Sequence, residues 1–268
     1  MVNLLVAAAL AAATPMAAPQ SPSMAPAEEP AMFVVRDADT TIYIFGTFHA
    51  LDGQGQWFSD HVRDAFEQSD ELVLETLVPE RPTRALLPAP GFTPPSVTPS
   101  ASFLATTQMA ISAGRAQGMQ VDNGADMVLR QIAEAEGKPV EGLETLQSQL
   151  DMFNHMPTAP TAPSPDAGDP VKPSAMEGLS KAMAEMQSAW KRGDQRVFAN
   201  MLGQLKTASP DTYRMMFTER NARWADWIRA RMQTPGTVFL AVGAGHLAGP
   251  DSVLVRLAER GIASQRVY

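Results

Sequence analysis

The chain has 268 residues, 45% of them apolar. That is enough for one packed domain of about 230 residues, or two tightly joined halves, and it excludes global disorder. A net charge of −8, with Lys and Arg scattered rather than striped, argues against a nucleic-acid partner. There is no cysteine, which removes disulfides, thiolate metal sites and cysteine nucleophiles together.

Met1 to Ala13 is an uncharged apolar run, too short for a membrane-spanning helix of ~20 residues. It matches the apolar region of a secretory signal, although no Lys or Arg precedes it, and predicts bacterial export to the periplasm or cell surface. Thr14 to Pro30 reads as a linker, which sets residues 1–30 apart from a domain over 31–268. No later segment is long and apolar enough to cross a membrane. Two further stretches concentrate proline, seven in Pro79 to Pro99 and six in Pro157 to Pro173, and read as flexible loops inside that domain.

Between these loops strands and helices alternate. Thr40 to Phe45 (TTIYIF) predicts a buried strand ended by Gly46. Ser59 is placed to cap a helix with Val62, Ala65 and Phe66 on one face. Glu71 to Leu77 reads as a strand. Asp122 to Glu136 reads as a helix with Val128 and Ile132 inward, stopped by Gly137, and Pro139 to Leu143 as a short strand. Ser174 to Trp190, Gln195 to Leu205 and Asp211 to Met232 read as helices. Thr237 to Val242 is a strand ended by Gly243. A helix over Asp251 to Arg260, packing Val253, Leu254 and Leu257, and a strand over Ile262 to Val267 complete the chain. The fold class is therefore α+β, a central mixed sheet flanked by helices.

Aligning Gly46 with Gly243 superposes His49 on His246 and Thr40 on Thr237. Each copy is a strand, a Gly-x-x-His turn, a helix and another strand, which suggests two related strand-turn-helix halves. Ligands of open α/β sheets gather beyond strand ends, so His49 and His246 are the first site candidates. Glu75 ends the neighbouring strand on the face opposite Leu74, where a carboxylate needs a partner or a cation. Glu144 is in a similar position, or else begins a helix near Thr145. Arg220 and Asn221 precede Trp224 and Trp227 on an amphipathic helix. An inward Arg220 would need Glu75 or Glu144, whereas a Glu219–Arg223 surface pair would leave it exposed. His61, in the first turn of a helix, and His155, ending one beside a flexible loop, read as residues without a site role, and the methionines, Met176, Met183 and Met186 among them, as core or helix-face residues.

The strings Gly46-Thr47-Phe48-His49, the strand with Glu75, Gly142-Leu143-Glu144-Thr145, Glu219-Arg220-Asn221 with Trp224, and Val242-Gly243-Ala244-Gly245-His246-Leu247 together resemble the TraB/GumN family. That family includes bacterial pheromone-shutdown proteins and is similar to the animal TIKI metalloproteases. The resemblance covers residues 31 to 268. It implies a mixed sheet related to the erythromycin-esterase and ChaN-like proteins, with a site made from His49, Glu75, His246, Arg220 and Asn221. The short proline-rich region between Glu75 and Asp122, and the irregular insert at 157–173, depart from the family pattern.

The resulting expectation is a metal-dependent hydrolase acting on peptides outside the cytoplasm. His49, His246 and Glu75 would hold a divalent ion (Mn, Co or Zn), Glu75, Arg220 and Asn221 would serve catalysis, and Glu144 and Arg220 would contact substrate. No HExxH signature is present. The alternative is a non-catalytic exported protein that sequesters a peptide, metal or haem through the same groups.

Overall fold

The computed structural model describes residues 29–53, 57–77, 112–156 and 173–267. The leader, nearly all of the linker, the stretch 79–99 and all but the last residue of 157–173 lie outside them.

The sheet begins with a strand that the sequence reading missed. β1 (Met32–Arg36) pairs antiparallel with β2 (Thr40–Thr47), Val34 opposite Tyr43. Its signals were the run Phe33-Val34-Val35 and the Asp37 turn, in which the carboxylate accepts the N–H groups of Asp39 and Thr40. β3 (Glu71–Thr76), β4 (Val140–Glu144) and β5 (Gly236–Gly243) follow, and β6 (Gln265–Arg266) is much shorter than the strand expected over Ile262 to Val267. The order is β4-β3-β5-β2-β1-β6. β4, β3, β5 and β2 are mutually parallel, and β1 and β6 close one edge in antiparallel pairing.

Strand alternation builds two cores. Phe45, Leu72, Leu74 and Phe239 face one side, packed with Phe66, Leu129, Trp190 and Phe198. Ile42, Ile44, Val73, Val238, Leu240 and Val242 face the other, packed with Trp224, Ile228, Val253 and Leu257. The first side is covered by α1 (Asp60–Glu67), α2 (Ala125–Glu136), α4 (Pro173–Lys191) and α5 (Gln195–Ala208); the second by α7 (Glu219–Arg231) and α8 (Val253–Glu259). α3 (Leu146–Asn154) lies between β4 and α4 in sequence, its Thr145 hydroxyl accepting the Ser148 N–H. Ser59 caps α1 as expected, and Gly137 ends α2 in a left-handed conformation at φ 71°.

Two helices differ from expectation. α2 starts at Ala125, after a 3₁₀ turn at Val121–Asn123, and buries Ala125, Leu129 and Ala133, with Val128 and Ile132 only flanking the core. The helix expected over Asp211 to Met232 is three pieces: α6 (Pro210–Tyr213), a π-helical segment Arg214–Thr218, and α7. A π turn inside a helix is rare and concentrates at functional sites. Here it ends two residues before Arg220.

Candidate active site

The carboxyl ends of the four parallel strands meet at one edge, and each delivers a residue there. His49 follows β2, Glu75 and Glu144 lie in the last turns of β3 and β4, and His246 follows β5. Because β5 is inserted between β2 and β3, the winding reverses here and a crevice opens.

Arg220 is the hub. Its Nη2 donates to Glu75 Oε2 at 2.8 Å and its Nε to Glu144 Oε2 at 2.9 Å. Its Nη1 stands 3.3 Å from His246 Nε2, and the guanidinium lies 4.6 Å from the Trp224 ring centroid. The side chain is 5% exposed, and a charge so buried requires such partners. The second oxygen of Glu75 accepts the Gly243 N–H at 2.7 Å. Glu144 also accepts from Arg223 and from Trp224 Nε1. This makes it an anchor for the helix rather than a wall of the cavities described below.

Asn221 fixes His246. Its amide NH₂ donates to the Asp251 carbonyl at 2.7 Å, leaving its oxygen 2.6 Å from His246 Nδ1. That network assigns the proton to Nδ1, which donates to Asn221, and leaves the Nε2 lone pair turned to Arg220 and Glu75. Phe217 and Trp224 hold the ring at centroid distances of 4.9 and 4.4 Å.

His49 is held differently. Its side chain is 59% exposed, with Nδ1 at 3.2 Å from Asp126 Oδ1. The Ala125 N–H donates to the Phe48 carbonyl at 3.0 Å, so the start of α2 clamps the turn. A Cβ on Gly124 would lie 2.4 Å from the His49 carbonyl oxygen, which explains glycine there. Gly243 is constrained less severely: its Cβ would stand 3.1 Å from both Glu75 Oε1 and His49 Nε2, close enough that these side chains would have to shift.

These surroundings push the two imidazoles apart. Burial lowers His246 to about 3, with the charge of Arg220 acting in the same direction and only Glu75 opposing. At His49 the protein packed around the ring displaces part of its hydration and works downward although the side chain is largely exposed, but the adjoining Asp126 carboxylate and the charge of Glu75 outweigh it and raise the group to about 9. For Glu75 burial acts upward; the charges of Arg220 and His49 and the Gly243 N–H hold the carboxyl down at about 2. With His246 neutral, Arg220 is the standing positive charge beside it.

A cavity of about 490 Å³ opens over this floor, between His49, Glu75, Arg220 and His246 below and Met and Phe side chains above. A second, of about 510 Å³, lies beyond Thr47, His49 and Glu75, which line both.

As arranged, His49, Glu75 and His246 do not fit a metal ion. Both Glu75 oxygens are engaged, and a guanidinium nitrogen lies in front of the His246 lone pair that a metal would need. Among the described residues no group of three His, Cys, Asp or Glu is placed to hold a metal.

The fold thus brings together His49, Glu75, Glu144, Arg220, Asn221 and His246, while His61 lies exposed on α1 and His155 exposed just past the end of α3. Sequence reasoning missed Asp126, Thr47 and the cavity-lining face of Met183, Met186, Met201 and Met216. Asp126 lies in the first turn of α2, where an acid suits the helix N-terminus, and only its approach to His49 distinguishes it.

Comparison with known proteins places the chain in a family. The TraB/PrgY/gumN family model matches residues 31–90 and 91–266. The uncharacterized protein YbaP of Escherichia coli (strain K12) is 30% identical over 147 residues, covering 54% of this chain and 52% of the relative. YbaP of Shigella flexneri matches to the same extent. The chain therefore spans about half the length of the curated relatives it matches. No solved structure matches it. With the motif residues gathered at the carboxyl ends of the parallel strands and the family model covering residues 31–266, the chain belongs to the TraB/PrgY/gumN family.

Proposed function

We propose that this protein is an exported hydrolase of peptide bonds that works by paired acid and base histidines. The observation that carries the reading is the opposed setting of His49 and His246 around one carboxylate. Two titratable groups whose pKa values are driven apart are a recurring way to assign acid and base roles. Each has its Nδ1 beside an anchoring oxygen, Asp126 for one and Asn221 for the other.

His246, neutral, takes the proton of an attacking water at Nε2. The water oxygen bonds to the scissile carbonyl carbon, and Arg220 turns its Nη1 from His246 to the developing oxyanion, which frees that lone pair. His49, protonated at neutral pH, gives its proton to the leaving nitrogen as the C–N bond breaks. Solvent exchange restores both. Glu75 keeps Arg220 and the two rings in register. No step is routed through a metal ion.

Incubating the mature protein with a mixed peptide library and reading products by mass spectrometry tests this. Cleavage lost by about 10²–10⁴ in His49→Ala and in His246→Ala is the expected result. Peptide capture without product, unchanged by added Mn, Co or Zn, would support a binding protein instead. Cleavage that appears only with added metal would overturn the side-chain mechanism.

A further inference from the structure

Behind His246, the turn that leads into α8 holds a knot of side chains that the proposed mechanism does not use. Asp251 gathers donors from three helices on its carboxylate. Its Oδ2 accepts from Lys206 of α5 at 2.8 Å and from the Tyr213 hydroxyl of α6 at 3.0 Å. Its Oδ1 accepts from Arg256 of α8. The Lys206 ammonium also lies 5.1 Å from the Tyr213 ring centroid. The Asp251 side chain is 15% exposed, and a carboxylate held by three donors in such a setting has little freedom to move. Burial and the Asp251 hydrogen bond push the Tyr213 hydroxyl up to about 12, so it remains a donor at neutral pH.

Two routes run from this knot to the same imidazole. The first passes through the backbone. The Asp251 carbonyl accepts the Asn221 amide at 2.7 Å, and the Asn221 oxygen stands 2.6 Å from His246 Nδ1. An amide side chain has one donor end and one acceptor end, so this carbonyl decides which end His246 meets. Turned over, the amide would offer its N–H groups to Nδ1 and favour a proton on Nε2 instead. The second route passes through rings. Tyr213 stacks on Phe217 at 5.8 Å between centroids, and Phe217 covers His246 at 4.9 Å. Tyr213 directly precedes the π-helical segment that carries Phe217, so its hydrogen bond to Asp251 fixes where that segment starts. Asp251 and Tyr213 line neither cavity over the site floor. Their effect on chemistry therefore has to pass through His246.

We infer that Asp251 is a positioning residue: its carboxylate knot holds the carbonyl that orients Asn221, and through Asn221 keeps the His246 proton on Nδ1 and the Nε2 lone pair free. This rests on the proposed hydrolase reading for the use of Nε2 as the base. It goes further by naming the residue that keeps the base in the competent tautomer from outside the crevice. Asp226 supplies the contrast. Its carboxylate also ties α7 to the end of α8, accepting from Arg260 at 2.8 Å, but its partners are Arg260 and Arg229.

The test is the nitrogen NMR shifts of the His246 ring in isotope-labelled protein at neutral pH without substrate, with peptide turnover measured on the same variants. Wild type shows one tautomer, protonated at Nδ1. In Asp251→Ala the population protonated at Nε2 rises about fivefold, the ratio set by loss of one hydrogen bond. Asp251→Asn, which keeps the shape and one acceptor oxygen, recovers part of the wild-type state. Tyr213→Phe, which keeps the ring stack and removes one donor, moves the shifts the same way by less. Asp226→Ala leaves them unchanged although it loosens the same pair of helices. With a peptide that wild type cleaves, Asp251→Ala lowers kcat about ten- to hundredfold and leaves KM in place. Wild-type shifts in Asp251→Ala, an equal change in Asp226→Ala, or changed shifts with wild-type kcat would overturn the inference. Should Asp251→Ala not fold, wild-type shifts in both Asp251→Asn and Tyr213→Phe would overturn it equally. Shifts that change as expected with no product from wild type would instead sink the hydrolase reading and leave the hold of Asp251 on His246 standing. Cleavage by wild type with shifts indifferent to Asp251 would do the reverse.

Discussion

The turns Gly46–His49 and Gly243–His246 share a motif and lie side by side on adjacent parallel strands, yet they are opposites. The sheet pairs Thr47 with Gly243, one residue out of the register that aligning the two glycines suggests. After β5 the chain tightens at once into a 3₁₀ turn, and His246 is 5% exposed beneath Phe217 and Trp224. After β2 the backbone stays open, clamped only by the start of α2, and the His49 ring faces the cavities. One imidazole is anchored by a neutral amide and presses on a guanidinium, while the other adjoins a carboxylate. A histidine's chemistry is set by what surrounds it more than by the motif that presents it.

Removing Arg220 should break this contrast most severely. Arg220→Met leaves Glu75 and Glu144 buried without their shared cation, and a loss of about 3–5 kcal/mol is expected. Chemical denaturation measures it; a loss below 1 kcal/mol would mean the carboxylates find other partners.

Gly243→Ala acts on the space between the turns. The added methyl presses on both Glu75 and His49, and displacements of this kind cost about 10² in rate. Turnover should therefore fall much more than the melting temperature does. A variant that keeps wild-type turnover would show that the three groups need not be so close.

The acid and alkaline limbs of the stability curve separate the two histidines. His246 is lowered from its ordinary 6.5 to about 3. Its contribution is complete above pH 6.5 and is lost as pH falls through about 3. His49 is raised to about 9, so its contribution is complete below pH 6.5 and is lost as pH rises through about 9. His246→Asn should flatten the decline between pH 6.5 and 4.5, and His49→Asn the decline above pH 7. Melting temperature against pH reads both, and identical curves would remove the distinction.

The smallest expected effect comes from exchanging the anchors. Asp126→Asn should lower the His49 pKa and Asn221→Asp should raise that of His246, each followed by the ring-proton NMR titration. If neither moves, the oxygens beside Nδ1 do not govern the rings.

Much of the framework was legible beforehand, because short-range rules set it. Alternation placed Val73 and Glu75 opposite Leu72 and Leu74, Ser59 and Gly137 marked helix ends, and the glycine-terminated strands located both histidines. β1 was hidden in what read as the end of a linker, and the π turn before Arg220 has no spacing signature in a helix otherwise continuous. By itself, the sequence determined the alternation of strands and helices, the strand-end positions of His49, Glu75 and His246, and the need of an inward Arg220 for a carboxylate. Only the tertiary structure decided that Arg220 takes both Glu75 and Glu144, that Asp126 adjoins His49, and that Thr47 and Thr76 line a shared crevice. The physical reason is range: caps and periodicity act within a few residues along the chain, whereas ion pairs and cavities join groups that only the packing of β5 between β2 and β3 brings together.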